Sequence, residues 1–225
     1  ERCAGEIARC GLRGFVLRIP ERRREHERHF ALRKAPRERV AEVRLIRVTP
    51  HPFRAEQFEH PLLDDPRLAA VERRLLKNDL RTRAALQFGT SGGGNHFVEF
   101  GELRLHEPAE GIPAGNWLAL LSHSGSRALG YNIANHFSAL AQELTRLPKE
   151  LERLAWLPMD TEEGQAYWDA MELAGEYSAV NHQVIHDTVT ALSGLTPVRA
   201  VSNHHNFAWK ENHGGREVLV HRKGA

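Results

Sequence analysis

Three histidines stand among small or polar residues at widely separated points of the chain. His96 follows Gly92-Gly93-Gly94-Asn95, His123 precedes Ser124-Gly125-Ser126, and His205 lies within His204-His205-Asn206. Neutral imidazole suits divalent transition metals, and a glycine run lets backbone N–H groups approach a phosphate or a metal-bound anion. A glycine run alone is more often just a flexible turn, and this one lacks the Lys-Ser/Thr ending of a P-loop. Each histidine taken singly reads as a surface or hydrogen-bonded core residue. Together, three of them in Gly/Asn-rich turns suit a site assembled from several loops on one side of a sheet. No HEXXH spacing places two on one helix, which excludes the common zinc proteases. His136, His182, His186 and His213 lie in helical or charged surroundings and read as structural, while His221 sits on an expected strand whose alternate positions can face solvent.

Other polar side chains fall near these turns. Asn95 and Glu99 are four apart on an expected strand, so they point to one side and can present an amide and a carboxylate to one ligand. An ionised carboxylate only accepts hydrogen bonds and so suits a base edge; an ordinary surface Glu is the competing reading. Arg127 opens an expected helix, where its guanidinium can grip a phosphate beside the helix N-terminus. Arg222 and Lys223 either add positive charge or form a solvated strand end.

The elements that must position these residues are legible in part. Leu68, Val71, Leu75, Leu76 and Leu80 fall at helical spacing and predict one amphipathic helix over Arg67 to Leu86. Strands are predicted over Asn95 to Phe100, Trp117 to Ser122, Val198 to Val201 and Glu217 to Arg222, with Asn203 to Asn206 as a polar cluster between the last two. Leu129, Ile133, Phe137, Leu140 and Leu144 make the apolar stripe of a helix starting near Arg127. Asp160 or Thr161 caps a long helix that runs to Leu192 and stops at Gly194. Before residue 60 the signals are weak: strand-like runs at Gly14 to Ile19 and Val40 to Val48 flank a charge run from Glu21 to Arg28. Strands and helices alternate without a regular βαβ period, which predicts an α+β fold, a mixed sheet system flanked by helices. The expected division is an atypical basic segment over 1–60 and a binding domain over 61–225.

At 225 residues the chain is long enough to bury a core without staples. Residues 1 to 60 hold fifteen Lys and Arg against nine Asp and Glu, so this part carries +6 and the remainder −4. A basic arm that meets phosphates and a solvated segment are both consistent with that excess. Cys3 and Cys10 are the only cysteines, too few for a disulfide framework, which leaves a thiol or metal-ligand role open. No apolar run has the length of a membrane span and no secretory signal opens the chain, so a cytoplasmic location is expected.

Four phrases carry a resemblance: Gly89-Thr90-Ser91-Gly92-Gly93-Gly94-Asn95-His96-Phe97-Val98-Glu99, His123-Ser124-Gly125-Ser126-Arg127-Ala128-Leu129-Gly130, His204-His205-Asn206-Phe207-Ala208, and Val220-His221-Arg222-Lys223-Gly224-Ala225. In this order they resemble the signature motifs of the RtcB family of RNA-splicing ligases, over the chain from about Pro61 to its end. The resemblance implies a monomeric enzyme that joins an RNA 3′-phosphate or 2′,3′-cyclic phosphate end to a 5′-hydroxyl end, using GTP and two Mn²⁺ ions. It makes His96, His123 and His205 metal ligands, Asn95, Phe97, Glu99 and Asn206 guanine-nucleotide contacts, and Arg127 an RNA-phosphate contact. Cys10, in Ile7-Ala8-Arg9-Cys10-Gly11, matches the bridging thiolate of the family's Asp-x-Gly-Cys-Gly segment, with Ile7 at the Asp position. In the family a histidine attacks the α-phosphate of GTP, the guanylyl group passes to the RNA 3′-phosphate, and the 5′-hydroxyl displaces GMP. That histidine belongs to a Ser-His-Gly-Ala-Gly-like segment expected beyond Ala225, so the chain reads as a truncated member. The alternative is an inactive fragment that only binds metal, nucleotide or RNA.

Overall fold

A computed structural model of the chain describes residues 58–77 and 79–223 in full, together with the backbone of three earlier strands. These are β1 (Cys10–Arg18), β2 (Arg28–His29) and β3 (Ala41–Ile46). They overlap the two strand-like runs expected there, whereas most of the charge run at Glu21 to Arg28 lies outside the described residues. The later strands are β4 (Phe97–Leu105), β5 (Gly115–Ser124), β6 (Pro197–His213) and β7 (Arg216–Lys223). All seven form one sheet in the order β2-β3-β4-β5-β1-β6-β7, and each neighbouring pair is antiparallel. With four helices beside it the molecule is α+β, as its residue pattern predicts.

The helix expected over Arg67 to Leu86 is two helices, α1 (Pro66–Leu75) and α2 (Leu80–Gln87). Asp65 opens α1 by accepting from the Arg67 N–H at 2.8 Å, and Pro66 costs nothing in the first turn. Leu76 closes it in the left-handed conformation, with φ of 52°. An uninterrupted helix would set Leu75 and Leu80 on different faces. The break lets both enter the core while Leu76 turns out, 89% exposed.

Helix α3 (Arg127–Thr145) buries Leu129, Ile133 and Phe137 and leaves Leu144 exposed where it runs past the core. Helix α4 (Glu162–Ser193) spans 32 residues. Of its two cap candidates Thr161 serves, its Oγ1 accepting from the Gly164 N–H at 3.1 Å, and Gly194 ends the helix at φ 66°. The main core joins α1, α2, α3 and α4 around Phe88, Ile133, Met171, Leu173 and Tyr177. Helix α4 also packs against β1, β5 and β6, and a second cluster forms around Leu120 of β5 with Val98, Phe100 and Val189.

The strand expected at Val198 to Val201 and the polar cluster after it are one strand, β6, which a two-residue turn joins to β7. Gly214 and Gly215 at that turn have φ of 60° and 80°, the pair of positive angles that matches the twist of a tight hairpin. Among the described residues no helix is long and apolar enough to cross a membrane.

Candidate functional site

Strand alternation sorts the residues of β4 and β5 into two sets. Phe97 pairs with His123 and Glu99 with Leu121, so Phe97, Glu99 and His123 share one face. Ser122 and Leu120 take the other face with Val98 and Phe100, packed on α4. Asn95 precedes the strand, in the turn that leads to it, so the strand spacing expected between Asn95 and Glu99 does not apply.

The three histidines meet in a row centred on His123. Ring centroids are 5.4 Å apart for His96 and His123 and 4.9 Å for His123 and His205, and Phe97 stands 5.6 Å from His123. The Nδ1 of His123 lies 3.0 Å from the carbonyl oxygen of Asn95. A carbonyl only accepts, so Nδ1 carries the proton, and the lone pair of the neutral form of the ring belongs to Nε2. That Nε2, and Nδ1 of His205, are buried nitrogens with no hydrogen-bond partner among the described residues. Burial, with His123, Arg127 and His205 nearby, lowers the His96 pKa to about 4, and burial also lowers those of His204 and His205. Lone pairs on buried imidazole nitrogens fit the needs of a divalent transition metal. The described side chains do not close a coordination shell themselves, for among them no three His, Cys, Asp or Glu converge as ligands. Register sets the backbone of Cys10 opposite Asn206, one residue from His205, and Ile7 lies outside the described residues.

The Gly-rich segment lies against Arg127. A Cβ on Gly92, where φ is 98°, would fall 1.8 Å from Arg127 Nη1 and 2.8 Å from His96 Nδ1, so only glycine permits this approach. Arg127 has φ of 55° and donates from Nε to Thr90 Oγ1 at 3.2 Å. Burial lowers its pKa, though a guanidinium remains charged at any working pH. Among the described residues no carboxylate pairs with it, which leaves its charge for a phosphate.

Asn206 is buried, with Oδ1 3.3 Å from Nε2 of the exposed His221. Phe97 and Glu99 are half-buried and Asn95 is exposed. Arg222 is not at the site: it pairs with Glu211 through both terminal nitrogens and lies 5.3 Å over the Trp209 ring. His213 also pairs with Glu211, as its charged surroundings suggest. A surface hollow of about 510 Å³ lined by His60, Asp64, Asp65 and Glu176 lies elsewhere, and its acids are already paired, Asp65 and Glu176 with Arg67 and Asp64 with Arg81.

Sequence reasoning passed over two supports of this site, Asn181 and Gln87, while its structural reading of His182 and His186 holds. Asn181 of α4 ties together the turns at 89–91 and 124–125. Gln87 Oε1 accepts from the Ala128 N–H at 2.9 Å and serves α3 in place of Ser126, which makes no side-chain cap bond. Buried His182 and His186 both bond the Ser122 hydroxyl, at 2.8 and 2.7 Å. A signal was present: Asn181, His182 and His186 interrupt the apolar face of a long helix at positions that periodicity assigns to the core.

A family profile described as tRNA-splicing ligase RtcB matches residues 17–225. The chain is 34% identical over 154 residues to the RNA-splicing ligase RtcB of Mycobacterium bovis, covering 62% of this chain and 36% of that protein. It is 32% identical over 189 residues to the tRNA-splicing ligase RtcB of Methanocaldococcus jannaschii, covering 74% and 19%. With the RNA-splicing ligase RtcB of Escherichia coli it shares 33% identity over 162 residues, covering 65% and 37%. The chain thus spans little more than a third, or less, of the length of these relatives.

Proposed function

This chain belongs to the tRNA-splicing ligase RtcB family, and on that premise we propose that it carries the metal- and nucleotide-binding part of an RNA ligase. The reaction would join a 3′-phosphate or 2′,3′-cyclic phosphate end to a 5′-hydroxyl end with GTP and Mn²⁺. His96, His123 and His205 would hold the metal, with Cys10 as a further ligand. Asn95, Phe97, Glu99 and Asn206 would contact the guanine nucleotide, and Arg127 the RNA phosphate.

One observation carries the reading. The Asn95 carbonyl fixes the His123 tautomer, and the ring's buried Nε2 has no hydrogen-bond partner among the described residues while His96 and His205 flank it. Mn²⁺ bound there would supply positive charge against phosphate oxygens and orient the reacting ends. The chain's own residues do the rest. Burial keeps His96 neutral at physiological pH, the form in which an imidazole can ligate a metal. Arg127 offers a guanidinium that no carboxylate among the described residues neutralises, and Glu99 offers acceptors that suit the N–H edge of guanine.

A second reading, binding of metal, nucleotide or RNA without joining, draws support from the open geometry of the three imidazoles. Incubation with GTP, Mn²⁺ and end-labelled RNA bearing a 3′-phosphate and a 5′-hydroxyl tests both. Joined product, abolished by His123→Ala, is the expected result when this part is tested together with the segment that carries the family's nucleophilic histidine. Bound but unjoined RNA supports the second reading, and phosphate release without joining indicates a phosphoesterase instead.

A further inference from the structure

We infer that Asn181 is a positioning residue, which locks the Gly89–Ser91 turn to the Ser124–Gly125 turn and thereby sets the spacing of His96, His123 and Arg127. The inference rests on the metal-site reading above and adds a residue on the opposite face of the sheet. Asn181 is fully buried on α4. Its Oδ1 accepts from the Gly89 N–H at 2.8 Å. Its Nδ2 donates toward the Thr90 carbonyl at 3.1 Å, the Ser124 hydroxyl at 3.1 Å and the Gly125 carbonyl at 3.3 Å. An amide nitrogen has two protons, so one of these bonds is shared.

The Ser124 hydroxyl, accepting from Asn181, spends its own proton on the Ser91 carbonyl at 2.7 Å. The amide orientation is therefore fixed from both ends, since Gly89 needs an acceptor and the carbonyls need donors. Neither a carboxylate nor an apolar side chain of this size meets both demands. One turn joined here leads through Gly92 to His96, and the other connects His123 to Arg127. Supporting residues of this kind typically change metal affinity by about 10–100-fold when removed.

The test uses the full chain with Asn181→Ala, Asn181→Asp and, as a control, Tyr177→Phe. Tyr177 lies one turn earlier on α4 and donates its buried hydroxyl to the Ala84 carbonyl at 2.7 Å, a bond to α2 and not to either site turn. Two readouts are followed: amide hydrogen exchange, and Mn²⁺ affinity from the paramagnetic resonance of free Mn²⁺. Asn181→Ala is expected to speed exchange in both 89–94 and 124–127 and to weaken Mn²⁺ binding about tenfold or more. Asn181→Asp keeps the acceptor for Gly89 and loses the donated bonds, so its exchange should rise at 124–127 more than at Gly89. This asymmetry is not expected of a simple packing defect, and it carries the test if the alanine variant does not fold. Tyr177→Phe should lower the melting temperature and leave both readouts at wild-type values.

If the wild-type chain binds Mn²⁺ and the Asn181 variants bind it equally, or if Tyr177→Phe weakens binding as much, the inference is overturned while the site reading stands. If the wild-type chain binds no Mn²⁺, the site reading fails and the inference with it.

Discussion

At the scale of single residues, the chemistry turns on which atom is left without a partner. The Asn95 carbonyl accepts a hydrogen bond from the Nδ1–H of His123, which assigns the lone pair of the neutral ring to Nε2 in a buried place. Gly92 makes room for this arrangement. Gly92→Ala would push a methyl into Arg127 and His96 at a φ of 98°, a backbone strain of about 1–3 kcal/mol. Urea unfolding should show that loss, together with weakened Mn²⁺ binding, whereas Gly93→Ala, whose Cβ meets nothing within 4 Å, should change little. The protonation state gives a pH prediction for the metal-free protein. His96 titrates near 4 in the folded chain against 6.5 for the ordinary side chain. Below pH 6.5 the unfolded chain therefore takes up a proton that the folded chain refuses, and folding stability falls until about pH 4. Denaturant titrations at pH 7.5 and 5 should show wild-type losing stability and His96→Gln losing less. The site histidines were legible because each stands beside Gly, Ser or Asn at a predicted turn. Asn181 was not, because a polar residue within a helix reveals its burial only once the opposing loops are in place.

At the scale of elements, β5 is the strand that links the two sides of the molecule. His123 projects to the site face, and Ser122 beside it anchors the strand to α4 through His182 and His186. One hydroxyl proton serves at most one ring, so at least one ring donates its own N–H to the oxygen. Ser122→Ala removes that shared partner from two buried rings and should cost about 1–3 kcal/mol in stability. Chemical denaturation measures this, and a neutral substitution would show that the two rings do not depend on Ser122. Periodicity located β5, α3 and α4 closely, and the cap chemistry of Thr161 and Gly194 set both ends of α4. It failed between α1 and α2, where Leu76 kept the helical rhythm while the backbone turned left-handed. It failed again in β6, which reads as strand then polar turn because His204, His205 and Asn206 are hydrophilic. There backbone pairing with β1 and β7 overrides the local preference.

At the scale of the whole molecule, the site exists because the sheet brings distant segments together. Strand β1 lies between β5 and β6, so a weak run near the N-terminus links the strand carrying His123 to the strand carrying His205. No local pattern could have given that order, because strand neighbours are set by non-local pairing. The α+β class was legible from the alternation of elements, and the histidine row required the three-dimensional arrangement. The central claim is that this row holds a divalent metal, and titration calorimetry of Mn²⁺ into the purified chain, with His96→Ala and His205→Ala beside it, tests it most directly. The account predicts saturable binding to the wild-type chain that each variant weakens at least about tenfold, the order of effect expected on altering a metal's coordination. Absence of binding in the wild-type chain, or heats unchanged in both variants, would contradict it.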